Sequence, residues 1–161
     1  MKKIVKYIGG LLFVICMAVL LTVTIGTKLC RIIRKEEESK NKMTEFYTLL
    51  IQWLTLKQSN NSLENYFKAR NFSKVAIYGM KELGQRLYEE LRNSDIEVKY
   101  IIDKNADELY AEVDIVSPDG ELDEVDVIVI TAIHYYDEIK EVLASKVNCP
   151  IISLEEVIYG A

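Results

Sequence analysis

The alternation of apolar and polar residues divides the chain into stretches, and the first is a long apolar run. Residues 7–27 are 21 residues without a charged side chain, rich in Leu, Ile and Val. At about 1.5 Å per residue, a helix of this length covers roughly 30 Å, the thickness of a hydrocarbon core. The apolar part of a cleaved signal peptide is shorter, about 7–15 residues, and a small-residue cleavage site usually follows it. We therefore expect a retained transmembrane helix within residues 1–28, with residues 4–27 meeting the membrane.

The next stretch is polar and is followed by an apolar helical pattern. Residues 29–42 are highly charged, and they indicate a juxtamembrane linker or a solvated continuation of the membrane helix. Residues 43–72 have the pattern of a helical connector, and its first part has apolar residues at spacings of three and four. Those residues are Met43, Phe46, Leu50, Trp53 and Leu54.

This apolar face has two interpretations. Packing against the chain's own globular domain is the one we favour, because only about two heptads are available for a dimerising coiled coil. Residues 58–61 break the pattern, and Ser62 is placed to cap a short second helix that ends near Asn71.

Residues 73–161 alternate between short apolar runs and amphipathic segments. Continuous apolar strands separated by helices are typical of a parallel sheet that is covered on both faces. Right-handed crossovers then give a small Rossmann-like α/β domain with strand order 3-2-1-4-5. The predicted strands are 74–79, 97–103, 113–116, 125–132 and 150–154, and the predicted helices are 80–93, 135–147 and 155–159.

Charge is distributed unevenly along the chain. Residues 1–42 have a net charge of +6, whereas residues 43–161 have a net charge of −11. The acidic part is a poor partner for nucleic-acid phosphates, so we expect no nucleic-acid binding. Four basic residues closely follow the apolar run and three precede it, which favours a single-pass protein of the cell membrane with its C-terminal domain in the cytoplasm. The three cysteines form neither a disulfide framework nor a metal pattern, in agreement with a reducing compartment.

The chemistry of the chain is concentrated in the sequence YGMKELG at residues 78–84. Gly79 and Gly84 occupy the first and third glycine positions of the dinucleotide-binding pattern G-x-G-x-x-G. Asp103 follows 24 residues after Gly79, at the end of the second strand, where that pattern has an acidic residue for the adenosine ribose. We therefore expect a nucleotide site formed by Gly79, Met80, Lys81, Gly84 and Asp103.

Lys81 stands where the second glycine belongs. A side chain there obstructs the close approach of the backbone to a pyrophosphate. A lysine also opposes the dipole at a helix N-terminus unless an anion is bound. Two interpretations stay open: Lys81 contacts a phosphate, or the pocket has degenerated and Lys81 points into solvent.

Several of these segments together resemble a known group of proteins. They are similar to the NAD(P)-binding Rossmann-like modules attached to bacterial polysaccharide-biosynthesis and nucleotide-sugar enzymes. The similar segments are VAIYG (75–79) with Gly84, VKYIIDKN (98–105), VDVIVITA (125–132) and CPIISLEEVI (149–158). The resemblance implies NAD(P) or a nucleotide-sugar as the ligand. It also implies a regulatory or substrate-holding role beside an envelope-polysaccharide enzyme.

Two further candidates follow the fourth strand. In an open α/β sheet, this position is the carboxyl edge beside the switch between strands one and four, where ligands bind. His134, the single histidine, is a candidate base or ligand partner, and the alternative is packing in the first helical turn. Thr131 is a candidate phosphate donor or a helix cap, and Tyr135 and Tyr136 are candidates for the pocket wall.

No catalytic or metal-binding residue is assigned, because the sequence has no nucleophile elbow, P-loop, zinc signature or Cys/His pair. The acidic residues between 119 and 126 lack calcium-loop spacing and indicate a solvated surface. We therefore expect a membrane-anchored, non-catalytic module that holds or senses a nucleotide or nucleotide-sugar. The alternatives are a ligand-free interaction protein that recruits a membrane partner, and a small NAD(P)-dependent oxidoreductase or epimerase-like enzyme that uses His134 or Tyr135.

Overall fold

The structure, a computed structural model, describes the backbone of residues 2–161 and the side chains of residue 17 and residues 20–161. Helix α1 runs from Lys2 to Gln58, so the charged stretch 29–42 is helical. The chain divides into two compact units, Met1–Phe46 and Tyr47–Ala161.

The predicted membrane span lies mostly outside the described side chains. Within the part of the chain that is described, no helix is long and apolar enough to cross a membrane. Of the predicted span 4–27, residues 4–16, 18 and 19 have side chains that the structure does not describe. The transmembrane helix therefore stays a prediction.

The second unit is built on a five-stranded parallel sheet with the order β3-β2-β1-β4-β5. This result confirms the predicted α/β class and strand order. In the register of the sheet, Ala76 lies between Tyr100 on one neighbouring strand and Ile128 on the other. The strands are β1 Lys74–Tyr78, β2 Glu97–Ile102, β3 Ile115–Val116, β4 Val127–Ile130 and β5 Ile151–Ser153.

Helices cover the sheet because its central strands are apolar on both faces. All of β4 and all but the first residue of β1 are buried. Helix α3 (Glu82–Leu91) contacts β1 and β2, and helix α4 (Tyr136–Ala144) contacts β4 and β5. Helix α5 (Leu154–Tyr159) follows β5 directly. Leu83, Leu87 and Leu91, which follow one another at a spacing of four along α3, are all buried.

The start of α2 and the connection between β2 and β3 agree with the sequence. Helix α2 (Leu63–Ala69) begins after Ser62, whose hydroxyl oxygen accepts a hydrogen bond from the Glu64 N–H at 3.2 Å. The β2–β3 connection contains a single 3-10 turn, Ala106–Glu108, in agreement with the short crossover in the sequence.

The buried face of α1 differs from the predicted one. Leu49, Trp53 and Leu56 are buried, with exposed fractions of 1%, 6% and 9%. Of the predicted face, Trp53 is buried and Phe46 is half-buried, whereas Met43, Leu50 and Leu54 are exposed. The reason is that residues 46–56 contain no charged residue, so their apolar spacing does not single out one face.

A buried carboxylate joins three helices. Glu90 of α3 is a charged residue, yet its side chain is only 7% exposed. Its Oε2 accepts from Trp53 Nε1 at 2.7 Å, and its Oε1 accepts from the Leu63 N–H at 2.9 Å and the Ser62 hydroxyl at 3.3 Å. Lys57 Nζ lies 3.0 Å from the same Oε1. Glu90 therefore ties the end of α1 and the start of α2 to α3.

Candidate functional site

The turn between β1 and α3 requires glycine at residue 79. Gly79 has a φ of +94°, in the left-handed region that side chains disfavour. A Cβ at this position would lie 2.9 Å from Thr131 Oγ1. The Gly79 N–H donates to the Ile102 carbonyl at 2.8 Å, so the turn is also tied to β2.

Gly84 allows α3 to pack closely on this turn. A Cβ on Gly84 would collide with the Gly79 carbonyl oxygen and would lie 3.3 Å from Thr131 Oγ1. The third glycine of the dinucleotide pattern has the same use, which is close packing of helix on strand. The two glycines therefore stand in the structural context that the sequence predicts.

Asp103 lies at the turn, but its carboxylate is engaged with the backbone. The residue is only 9% exposed, its Oδ2 accepts from the Met80 N–H at 2.8 Å, and its Oδ1 accepts from the Asn105 N–H at 2.9 Å. Met80 precedes Lys81, the N-cap residue of α3, so its N–H lies beside the helix N-terminus, where backbone N–H groups bind phosphates. A carboxylate has about four lone-pair sites, so Asp103 retains acceptor capacity for a ribose hydroxyl.

The second contact of Asp103 had a signal in the sequence that was missed. An Asp side chain that accepts from the N–H two residues later forms an Asx turn, and Asp103 and Asn105 have this spacing.

Burial, with the negative charge of Asp103 as the second cause, raises the pKa of the neighbouring Tyr78 hydroxyl above its ordinary value. Tyr78 is therefore neutral at physiological pH.

Thr131 joins the carboxyl ends of β1 and β4. The residue is 6% exposed, and its hydroxyl lies 2.9 Å from both the Tyr78 and the Gly79 carbonyl oxygens. A hydroxyl has one proton, so these two acceptors share it. A phosphate would receive this proton only if one of these bonds were given up.

Lys81 contributes an exposed positive charge at the start of α3. It is the N-cap residue of this helix, in an extended conformation, and its side chain makes no capping hydrogen bond. Aspartate, asparagine or serine at an N-cap would accept from the first helical N–H groups, and lysine has no acceptor. The first turn of α3 therefore lacks the side-chain acceptor that usually occupies this position.

The residues after β4 lie on the same carboxyl edge of the sheet as Gly79. His134 is half-buried in a 3-10 turn, Ile133–Tyr135, and Tyr135 is 52% exposed. The hydroxyl of Tyr136 donates to the Ile151 carbonyl and accepts from Lys140 Nζ, each at 3.0 Å. Tyr136 thus anchors α4 to β5.

No metal site is found within the described residues: they contain no group of three or more His, Cys, Asp or Glu side chains that could hold an ion. A cavity of about 250 Å³ lies beside β2 and β3, away from the Gly79 turn, and three of its lining residues are acidic. It is lined by Lys99, Tyr100, Asp114, Val116, Glu121 and Asp123.

Comparison with known proteins gives one partial similarity. The model of the C2185-like, N-terminal family matches residues 71–150, just under half of the chain. Searches of curated proteins and of solved structures found no match. The matched range begins just before β1 and ends just before β5, so it contains the Gly79 turn, Asp103 and His134. Over these residues the chain is similar to the C2185-like N-terminal family.

Proposed function

We propose that this chain is a non-catalytic binding module that holds or senses a nucleotide or nucleotide-sugar at the carboxyl edge of its parallel sheet. In this proposal residues 4–27 anchor it in the cell membrane, and the Rossmann-like domain lies in the cytoplasm beside an envelope-polysaccharide enzyme. NAD(P) is the second ligand class, because of the resemblance to NAD(P)-binding modules.

One observation carries the ligand part of the proposal. The left-handed Gly79 turn lies between β1 and β4, at the point where the strand order of the sheet reverses. Ligands of open α/β sheets bind outside the carboxyl ends of the strands at this switch point. Lys81 adds a positive charge beside a helix start that has no side-chain cap, which suits a phosphate.

A second candidate function is supported by a specific observation. Asp103 and Thr131 already bond to the backbone of the turn, and Asp103 occupies the Met80 N–H that a phosphate would use. These contacts favour a domain that has kept the fold without the ligand and serves as an interaction protein. Nothing in the described part of the chain gives comparable support to an oxidoreductase or epimerase, for which His134 and Tyr135 stay the candidate residues.

Isothermal titration of the full chain in detergent micelles with UDP-sugars, NAD(H) and NADP(H) tests the first proposal. Binding of one of these ligands with thermal stabilisation supports it. No heat and no stabilisation with any of them contradicts it and favours the interaction protein.

Two variants of Lys81 separate its charge from its bulk. Lys81→Ala removes the ammonium group and keeps Cβ, whereas Lys81→Gly removes both. If Lys81 contacts a phosphate, both variants bind the ligand more weakly than the wild type. If Cβ obstructs the ligand, Lys81→Gly binds more tightly and Lys81→Ala does not.

Asp103→Asn gives an independent measure of the same site. If the carboxylate holds a ribose, loss of its charge weakens binding. If it competes with a phosphate for the Met80 N–H, the variant binds the nucleotide more tightly, because repulsion between two anions is removed.

A further inference from the structure

One peptide unit of the β1–α3 turn, the one that joins Gly79 to Met80, is held at both ends. Its carbonyl oxygen lies 2.9 Å from the Thr131 hydroxyl, and its N–H donates to Asp103 Oδ2 at 2.8 Å. A peptide unit is planar and trans, so its carbonyl and its N–H point in opposite directions. Thr131 follows β4 and Asp103 follows β2, the two strands that flank β1 in the sheet. The peptide therefore bridges the two neighbours of the strand that it follows.

The proton of the Thr131 hydroxyl is best used on the Gly79 carbonyl. The hydroxyl oxygen lies 2.9 Å from the carbonyl oxygens of both Tyr78 and Gly79. The Tyr78 carbonyl also accepts from the Thr131 N–H at 3.0 Å. Because the Tyr78 oxygen already has this donor and a hydroxyl has a single proton, that proton stabilises the Gly79 carbonyl.

Asp103 allows this peptide a single orientation. Its side chain is fixed in place, because the residue is only 9% exposed and its Oδ1 accepts from the Asn105 N–H at 2.9 Å. An ionised carboxylate accepts hydrogen bonds and donates none. If the peptide were reversed, its carbonyl oxygen would face the carboxylate, and two acceptors would meet without a proton between them. Asp103 therefore disfavours the reversed orientation.

Gly84 leaves the room that this orientation needs. A Cβ on Gly84 would collide with the carbonyl carbon and oxygen of Gly79, which belong to the same peptide unit. Close packing of helix on strand accounts for Gly84, but it does not account for the hydrogen bonds at the two ends of the peptide. Three distant positions of the sequence, Gly84, Asp103 and Thr131, thus act on one peptide.

A turn that is fixed in advance loses little conformational freedom when a ligand arrives, and this preorganisation favours binding. We propose that Asp103 and Thr131 are positioning residues, which act as a pair on the peptide between Gly79 and Met80 and influence the nucleotide through it. Thr131 then contacts no phosphate. The effect on the ligand rests on the proposed nucleotide function, whereas the coupling of the two residues through the peptide can be tested without a ligand.

Amide hydrogen exchange of the full chain in detergent micelles, measured by NMR at single residues, tests the coupling. Thr131→Ala removes the hydroxyl group, and Thr131→Ser keeps it. The Met80 N–H is bonded to Asp103 and not to Thr131, so loss of the hydroxyl reaches this N–H only through the peptide. We expect its exchange to be faster on the order of ten-fold in Thr131→Ala and close to wild type in Thr131→Ser.

The Ile128 N–H separates this effect from a general loss of stability. It donates to the Pro150 carbonyl at 3.0 Å within the buried part of the sheet, so its exchange reports on global unfolding. In Thr131→Ala the Met80 N–H should gain more in exchange rate than the Ile128 N–H. Equal acceleration of the two amides, no acceleration at either, or equal rates for Met80 in the Ala and Ser variants would overturn the pairing.

Two further variants complete the exchange measurement. Thr55→Ala is the matched control, because it removes an exposed hydroxyl that bonds to the Ile51 carbonyl at 2.8 Å in α1, and it should leave the exchange of Met80 unchanged. Thr131→Val fills the space of the threonine without the donor. It gives the same comparison if Thr131→Ala does not fold.

Isothermal titration with UDP-sugars, NAD(H) and NADP(H) measures the effect on the ligand. Thr131→Ala should bind several-fold more weakly than the wild type, and Thr131→Ser should retain the affinity. In an Asp103→Asn background the same Thr131→Ala change should cost much less, because the peptide has already lost its carboxylate. An equal loss in both backgrounds would show a direct phosphate contact by Thr131 and overturn the positioning role. If no nucleotide binds the wild type, the proposed function fails, whereas the exchange measurement still decides whether the two residues share the peptide.

Discussion

At the scale of single residues, the turn after β1 is held by backbone contacts from two directions. Asp103 accepts from the Met80 N–H, and Thr131 bonds to the carbonyl groups of Tyr78 and Gly79. Gly84 leaves the space in which α3 meets the turn. Each of these residues acts on the backbone first, so substitutions there change the shape of the turn before they change any ligand contact.

Gly84→Ala should destabilise the domain, because the new Cβ collides with the Gly79 backbone. Forcing atoms into a packed site costs about 1–3 kcal/mol. Gly26→Ala is the control, since no atom lies within 4 Å of its added Cβ. Urea unfolding followed by the fluorescence of Trp53, the single tryptophan, reports on the domain. An unchanged urea midpoint for Gly84→Ala would contradict the tight packing.

Asp126 should make the stability of the domain depend on pH. Hydrogen bonds lower the pKa of the Asp126 carboxyl. The bond from the Lys74 N–H has the largest effect, and those from the N–H and the hydroxyl of Ser73 follow. A carboxyl whose pKa is lower in the folded state stabilises the fold at pH values above its unfolded-state pKa of about 3.9. This stabilisation is lost as the pH falls through the folded-state pKa. Asp126→Asn should therefore be less stable than the wild type at pH 7.

The difference between the wild type and Asp126→Asn should shrink as the pH approaches 3. Urea midpoints measured from pH 7 down to pH 3 give this comparison. Asp123→Asn is the control, because its carboxylate is exposed, and it should change the pH profile little. A constant difference across the range would show that the charge of Asp126 is unimportant.

At the scale of elements, the carboxylate of Glu90 holds α1, α2 and α3 together. The donors around Glu90 come from Trp53, Ser62, Leu63 and Lys57, which lie on or beside two other helices. A group that accepts from several donors and is almost fully buried is costly to replace, because its partners lose their acceptor away from water.

Glu90→Gln should lower the free energy of unfolding by about 2–4 kcal/mol, since its amide nitrogen would face donors that need an acceptor. Glu89→Gln, next to it, removes only a partly exposed ion pair with Arg92 at 3.3 Å. That control should change stability by less than about 0.5 kcal/mol. Urea unfolding by Trp53 fluorescence measures both, and equal effects of the two variants would refute the role of Glu90.

Elements were predictable where the chain had one way to bury its apolar residues. The run Val127–Ile130 becomes a fully buried strand, and the spacing of Leu83, Leu87 and Leu91 gives the inner face of α3. The α1 face was not predictable, because the uncharged residues 46–56 offer more than one apolar face. Similarly, the position of Asp103 followed from spacing, but its bond to Met80 depends on the three-dimensional path of the turn.

At the scale of the whole molecule, charge separates the N-terminal segment from the rest. The net charge is +6 over residues 1–42 and −11 over residues 43–161. Basic residues beside an apolar run favour anionic lipid headgroups. This arrangement supports the proposed tether and leads to a fractionation experiment.

The full chain should remain with the membrane pellet after alkaline carbonate extraction. Leu12→Arg combined with Ile15→Arg should release it, because each charge at the centre of a span costs about 2.5–3.5 kcal/mol in insertion. Leu12→Val with Ile15→Val is the matched apolar control and should stay in the pellet. Release of the wild-type chain by carbonate would refute the tether.

The short outer strands of the sheet limit how the protein can associate with other chains. Strand β3 has two residues and β5 has three, so neither edge offers a long row of unpaired N–H and carbonyl groups. A strand from another chain would find few backbone hydrogen bonds to make at either side. Lateral growth of the sheet into fibrils is therefore disfavoured, and recognition falls to side chains on helices and loops. Partner choice can then change by substitution of surface residues while the sheet itself stays the same.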